Sequence, residues 1–268
     1  MLKDRANKIV ERPLTPAVLD DIGVLGAFPS PGKGPDRLYR IWLCHGFYGQ
    51  LNLDAGYLKL TRGEPSTDGS FSLTVLQKQV NWEGIVNHID ARIECAADKL
   101  STPIRWEYTS IFSDRKGADI PALSAQISGR RDGSEVIVTR DGKETIIKNQ
   151  HGLSADWCIF DAVSRLTASD LPLEFDLMEG LTILKPGQNL RHLGRTRDGK
   201  ISSGAVLNGI VQTGTGVLPW EYWLDDTKRL CAAISGDRTY ILDDKAVEIF
   251  DGELAKHREG GYSWQNKL

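Results

Sequence analysis

From Gly84 to Phe112 apolar and polar positions alternate along the chain. Ile85, Ile89, Ala91, Ile93 and Cys95 fall on one parity; Val86, His88, Asp90, Arg92 and Glu94 fall on the other. A period of two marks a strand with one dry face. The next segment repeats it, with Ile104, Trp106, Tyr108, Ser110 and Phe112 alternating with Arg105, Glu107 and Thr109. Pairing Glu94 with Arg105 sets Arg92 opposite Glu107 and Ile93 opposite Trp106. That register satisfies the charges and the apolar face together, and a one-residue slip loses both. The stretch is predicted to be a long β-hairpin, and the rest of the sheet is expected to grow from it.

Similar patterns recur on both sides. Leu38 to Phe47 and Leu51 to Leu60 read as strands, with a bend at Gly46 and Gly49 and a bulge where the parity changes near Gly56. Phe71 to Val80 and Leu123 to Gly129 read as further strands. Ser134 to Lys148 reads as a tight hairpin, because Asp141-Gly142 suits the two positive-φ positions of a type I′ turn. Its register sets Ile137 opposite Ile146 and Val136 opposite Ile147. Beyond Leu173 the pattern is again β: a strand near Leu181 to Leu184, a hairpin from about Leu190 to Gln212 turning at Asp198-Gly199, a strand from Val217 to Leu224, and a last hairpin from Leu230 to Leu242 turning at Gly236-Asp237.

Helical spacing is sparse. Thr15 and Pro16 open a short helix to Ile22, with Thr15 as N-cap. Ser154 to Leu166 is an internal helix, with Ser154 as its cap and Trp157, Phe160 and Val163 on one face. A short helix at Lys245 to Phe250 precedes a charged tail. The predicted fold is all-β with minor α, roughly ten to twelve strands in a curved antiparallel sheet, a half-barrel or barrel with a helix packed in its mouth. Residues 1–35 read as an arm outside the core, 36–243 as a single β domain and 244–268 as a tail.

This order of elements, with its helix at Ser154 to Leu166, then Gly204 to Gly216 and the WLDDTKRL segment from Trp223 to Leu230, resembles the LolA/LppX-like half-barrel group. The likeness spans about Gly56 to Asp243. It implies a strongly curved sheet wrapped round an apolar cavity plugged by a helix, and it brings no catalytic residues. A lipocalin-like or a double-barrel hydratase-like architecture fits the same order.

Composition narrows the function classes. The chain has 268 residues, 40% of them hydrophobic, and a net charge of −3 from well-mixed acidic and basic residues. Such a balance gives no basic footprint for nucleic acid. No run reaches membrane-span length. The N-terminal residues carry no leader pattern, so the expected location is the cytoplasm, or the periplasm if a leader has been removed. Cys44, Cys95, Cys158 and Cys231 lie far apart with no metal spacing, and are expected to be buried free thiols. No nucleotide or metal motif is present, and no cofactor is expected.

Two functions follow from different classes. One is binding of an apolar or aromatic small molecule, with Tyr48, Trp106, Tyr108, Trp220 and Tyr222 as contacts and His151 overhanging the mouth. The other is a cofactor-free lyase, isomerase or hydratase acting on such a molecule. In that reading His45, or His88 with Asp90, moves the proton, and Arg92 or Arg105 holds an anionic group. Each has a bland competitor. His45 beside aromatics packs well as a core histidine, and the face carrying His88, Asp90 and Arg92 has the cross-strand charge pairs of a water-facing surface. His192 and His257 are expected in solvent. The partner is thus a small molecule, and a homodimer is compatible with the sequence.

Overall fold

The computed structural model describes residues 14–30, 36–45, 51–81, 83–196, 206–236 and 238–259, apart from the side chains at 44, 45 and 51–53. The bend at Gly46 and Gly49 and the turns at Asp198-Gly199 and Asp237 lie outside these residues.

Fifteen strands form one sheet in the order β8-β7-β6-β5-β4-β3-β2-β1-β15-β14-β13-β12-β11-β10-β9. The first eight are β1 (Asp36–His45), β2 (Leu51–Arg62), β3 (Phe71–Val80), β4 (Val86–Cys95), β5 (Pro103–Ser113), β6 (Ala125–Asp132), β7 (Glu135–Arg140) and β8 (Lys143–Lys148). The others are β9 (Leu153–Ala155), β10 (Leu173–Glu179), β11 (Ile183–Arg195), β12 (Asn208–Gly214), β13 (Trp220–Leu224), β14 (Leu230–Ser235) and β15 (Arg238–Leu242). Two meanders thus run outward from the β1–β15 pair. All pairings are antiparallel except β9 with β10.

The predicted registers are those observed. Glu94 pairs with Arg105, Arg92 with Glu107 and Ile93 with Trp106. In the β7–β8 hairpin Ile137 faces Ile146 and Val136 faces Ile147, with φ of 52° at Asp141 and 73° at Gly142. The bulge falls where β1 shifts register between Ile41 and Trp42, opposite Gly56 and Asp54. A Cβ at Gly56 would lie 2.0 Å from the Lys78 carbonyl oxygen, so only glycine fits there.

Among the described residues three α-helices accompany the sheet: α1 (Pro16–Asp21), α2 (Asp156–Ala162) and α3 (Ala246–Arg258). Helix α2 shows how far the sheet curls. Its Trp157 ring stacks on Tyr108 of β5 at 6.1 Å, and its Phe160 ring meets Tyr222 of β13 at 6.0 Å. Six strands lie between β5 and β13, namely β4, β3, β2, β1, β15 and β14. In a flat sheet that is about 34 Å, whereas seven helical residues span about 10 Å. The sheet therefore rolls round α2 without closing. Strand β9 is drawn against the β4–β5 turn by side chains rather than by a ladder. Thr102 Oγ1 donates to the Leu153 carbonyl and Ser154 Oγ to that of Leu100, both at 2.7 Å.

Several expectations are corrected. Ser154 is not the cap of α2; its hydroxyl is taken by Leu100, Ala155 is the N-cap, and the α-helix ends at Ala162. Residues 14–30 of the N-terminal segment pack on the core rather than standing outside it. Leu19, Ile22 and Leu25 are buried in the main cluster, and Arg40 Nη2 and Arg229 Nη1 donate to the carbonyls of Val24 and Pro29. Every residue of β14 is buried. The last helix runs to Arg258 and packs Phe250 edge-on against Tyr57, ring centres 5.5 Å apart. His257, expected in solvent, is therefore fully buried. Among the described residues no helix is long and apolar enough to cross a membrane. Cys95, Cys158 and Cys231 are buried free thiols.

Candidate functional site: an aromatic hollow beside α2

The short helix is anchored at both ends. At its C-terminal end the buried Asp161 carboxylate collects three guanidinium groups. Arg62 Nη1 lies at 2.5 Å, Arg165 Nε at 3.2 Å and Arg37 Nη2 at 3.7 Å, while Ser101 Oγ donates at 2.9 Å. At its N-terminal end Asp156 Oδ2 accepts a 2.7 Å hydrogen bond from the Gly180 N–H. Midway, Phe160 sits among Tyr39, Tyr222 and Tyr240, with ring centres 5.6, 6.0 and 5.2 Å away.

Between the N-terminal half of α2 and the inner face of the sheet lies a hollow of about 280 Å³. Six rings line it: Tyr108, Trp157, Phe160, Trp220, Tyr222 and Tyr240. Gln77, Gln212, Asp156, Glu179 and Arg238 add polar groups. The volume lies just below the usual range for ligand pockets, ~300–1,000 Å³. The polar groups are ordered. Tyr222 OH donates to Gln212 Oε1 at 2.8 Å, and Gln212 Nε2 donates to Gln188 Oε1 at 3.3 Å. Gln188 Nε2 is held in turn by backbone carbonyls, among them Thr215. This chain fixes the Tyr222 hydroxyl and leaves its ring as a wall.

Asp156 keeps partial exposure to the hollow but is otherwise enclosed by protein. Burial pushes its pKa up to about 6, against the Gly180 hydrogen bond and Arg238, which act to lower it. Burial also raises Tyr222, Tyr240 and Tyr108, and the Asp156 charge adds to the rise in each. Because the folded pKa exceeds the unfolded value, Asp156 favours folding below about pH 4 and loses that contribution as pH rises through 6. The rise from 3.8 to about 6 sets an upper bound of about 3 kcal/mol, and contact with the solvent in the hollow places the effect at about 1–2 kcal/mol. Asp156→Asn should therefore be more stable than wild type in urea at pH 7.5, with the gap vanishing near pH 4. Paired unfolding curves at the two pH values test this; a pH-independent gap would contradict it.

The candidate residues separate into groups. Tyr108, Trp220 and Tyr222 meet in the hollow. Trp106 is buried elsewhere, its ring filling the space above Gly129, where a Cβ would lie 2.2 Å from the indole. Asp90, Arg92 and Arg105 are exposed on the outer face of β4 and β5. His88 shares that face, opposite Lys78 and Ile111, and burial and Lys78 lower its pKa. His151 lies in a separate surface cleft of about 310 Å³, its Nδ1 3.4 Å from the buried Asp176 carboxylate. His192 lines a third cleft, of about 430 Å³, beyond the C-terminal end of α2. His45 ends β1 opposite Leu51; its side chain, and all of Tyr48, lie outside the described residues. Asp156, Arg238, Gln212 and Tyr240 were not singled out from sequence. The available signal was two aspartates within the apolar run DWCIFDA, since a buried carboxylate needs a partner or a purpose. Among the described residues no group of three or more His, Cys, Asp or Glu could hold a metal ion.

No family model and no curated protein matches the chain. Among solved structures it is similar to the crystal structure of a beta-barrel-like protein of a domain of unknown function, DUF1849, from Brucella abortus. The TM-score is 0.50 at 8% sequence identity, over 77% of this chain and 93% of that one. At that identity the likeness speaks to the fold alone: a mostly β, barrel-like architecture built on a curved, unclosed sheet.

Proposed function

We propose that the protein binds a small, flat, largely apolar molecule in the hollow beside α2. The observation that carries this is the hollow's lining: six rings and an ordered Tyr222–Gln212–Gln188 chain surround a space of about 280 Å³. Apolar walls with a few fixed polar groups are what orient a small ligand. The resemblance to LolA/LppX-like half-barrels supports the same reading, since those wrap a curved sheet round an apolar cavity.

Protein purified under native conditions should carry a small molecule, seen as a mass increment by native mass spectrometry and released on unfolding. Trp220→Ala removes one wall and should lower occupancy by about tenfold or more. Native protein free of any adduct, and indifferent to a library of aromatic compounds, would refute the reading. A second reading, cofactor-free acid–base catalysis, has one observation in its favour: a carboxyl titrating near 6 facing the void. A catalyst would change the mass of the released molecule during incubation, and Asp156→Asn would stop that change.

A further inference from the structure

We infer that β8 is the surface through which two copies of this chain pair edge to edge, antiparallel and in a register centred on Ile146. Neither the surface nor the register depends on what occupies the hollow.

An unclosed sheet has two edges, here β8 and β9. The β9 edge is covered, since the β4–β5 turn engages the Leu153 carbonyl and the Ser154 hydroxyl. Among the described residues β8 pairs with β7 alone. Its residues are exposed apart from the half-buried Ile147. Ile146 is 59% exposed. An exposed edge with a β-branched apolar residue is a template for a further strand.

The turn decides which main-chain groups are free. In a two-residue hairpin the residues flanking the turn, here Arg140 and Lys143, exchange both hydrogen bonds, and bonded pairs then alternate with unbonded ones. Lys143, Thr145 and Ile147 therefore spend their N–H and C=O groups on β7. Glu144, Ile146 and Lys148 direct theirs outward. Ile147 packs on the core, so these three side chains share the opposite, outer face.

A two-fold pairing must match outward-directed residues with outward-directed residues. Setting Ile146 opposite its own copy puts Glu144 of each chain opposite Lys148 of the other. Two opposite-charge pairs then flank one apolar contact, and three bonded pairs give about six main-chain hydrogen bonds across the seam. A shift by two residues one way sets Glu144 opposite Ile146, and the other way sets Lys148 opposite Ile146. Each places a charge on the apolar side chain. Lysines ordinarily guard a free edge; in β8, Lys148 selects a register. Within its own chain Glu144 Oε1 lies 3.4 Å from Arg130 Nη1, and Lys148 stands opposite Glu135. The Arg130 and Glu144 side chains are 49% and 53% exposed, so their pair contributes little and leaves the carboxylate able to accept from a second cation. Six residues a side are far fewer than the roughly 20–30 of a standard interface, so the dimer is weak, with a Kd on the order of 10–100 μM.

Sedimentation velocity of the full chain from about 1 μM to about 1 mM tests this, spanning that Kd on both sides. Wild type should pass from monomer to dimer. Glu144→Lys sets lysine against lysine across the seam, and Lys148→Glu sets glutamate against glutamate. Each variant alone should associate at least about tenfold more weakly. An equimolar mixture of the two should dimerise as wild type does, because every charge pair across the mixed seam is again opposite. Recovery in the mixture also requires that both variants are folded. Wild type that stays monomeric throughout leaves the edge to an extended segment of another protein and overturns the inference. Undiminished association of both variants places the contact elsewhere, and loss in both without recovery in the mixture denies the register; either result overturns it too.

Discussion

Asp161→Ala should lower the unfolding free energy at pH 7 by about 3–5 kcal/mol, the range for breaking a buried ion pair from one side. The carboxylate is almost fully buried, and Arg37 from β1, Arg62 from β2 and Arg165 just beyond α2 converge on it. Removing it leaves three guanidinium groups facing one another with their common counter-charge gone. Their side chains are 28%, 26% and 32% exposed, so they can turn towards water, which places the loss near the lower bound. The loss has a definite pH dependence. Burial alone would raise the Asp161 pKa, but Arg62, Arg165 and Ser101 outweigh it and the net shift is downward. A depressed folded pKa stabilises above the unfolded value of about 4 and ceases to do so as pH falls through the folded one. Wild type and Asp161→Asn should therefore converge in stability at acid pH. Urea unfolding at pH 7 and pH 2.5 measures both the gap and its closure.

Phe160→Ala should cost about 3–4 kcal/mol. Its ring is 4% exposed and meets Tyr39, Tyr222 and Tyr240 edge-on, tying α2 to β1, β13 and β15. Edge-to-face contacts add about 0.5–1.5 kcal/mol each beyond burial. The space left would join the existing hollow, which can admit water, so the cost stays below that of a sealed apolar cavity. Phe160→Leu should recover about half of the loss. The alanine variant should also accept bulkier aromatic ligands than wild type. Calorimetry against a size series checks this, and an unchanged size limit would mean that Phe160 does not bound the site.

These two side chains also mark what local pattern can and cannot show. The Glu94–Arg105, Arg92–Glu107 and Ile93–Trp106 register was legible because strand alternation and charge pairing each specify it. The β7–β8 register was legible because Asp141-Gly142 fits one turn type. The placement of Asp156 and Asp161 was not. Both sit in a helix that reads as amphipathic by spacing, and their partners come from β1, β2, β15 and the turn after β10, brought together by a curl of the sheet with no period in the sequence. The cap of α2 failed for the same reason: Ser154 spends its hydroxyl on Leu100, 54 residues away. The N-terminal segment was misjudged because breakers such as Gly26 and Pro29 follow it, though Leu19, Ile22 and Leu25 seal the core. Tyr108, Trp220 and Tyr222 line the hollow because aromatic residues at strand parity have few places to go but a covered face.

The proposed ligand site is the hollow walled by Trp157 and Trp220. Fluorine NMR of protein labelled with 5-fluorotryptophan tests it most directly, because the chain has seven tryptophans and each resonance can be assigned by single substitution. Titration with a flat aromatic compound such as indole should shift the Trp157 and Trp220 resonances saturably and together. Trp42, Trp106 and Trp223, buried outside the hollow, should stay in place. Saturable shifts at those three with Trp157 and Trp220 unmoved, or no saturable shift at any tryptophan, would contradict the account.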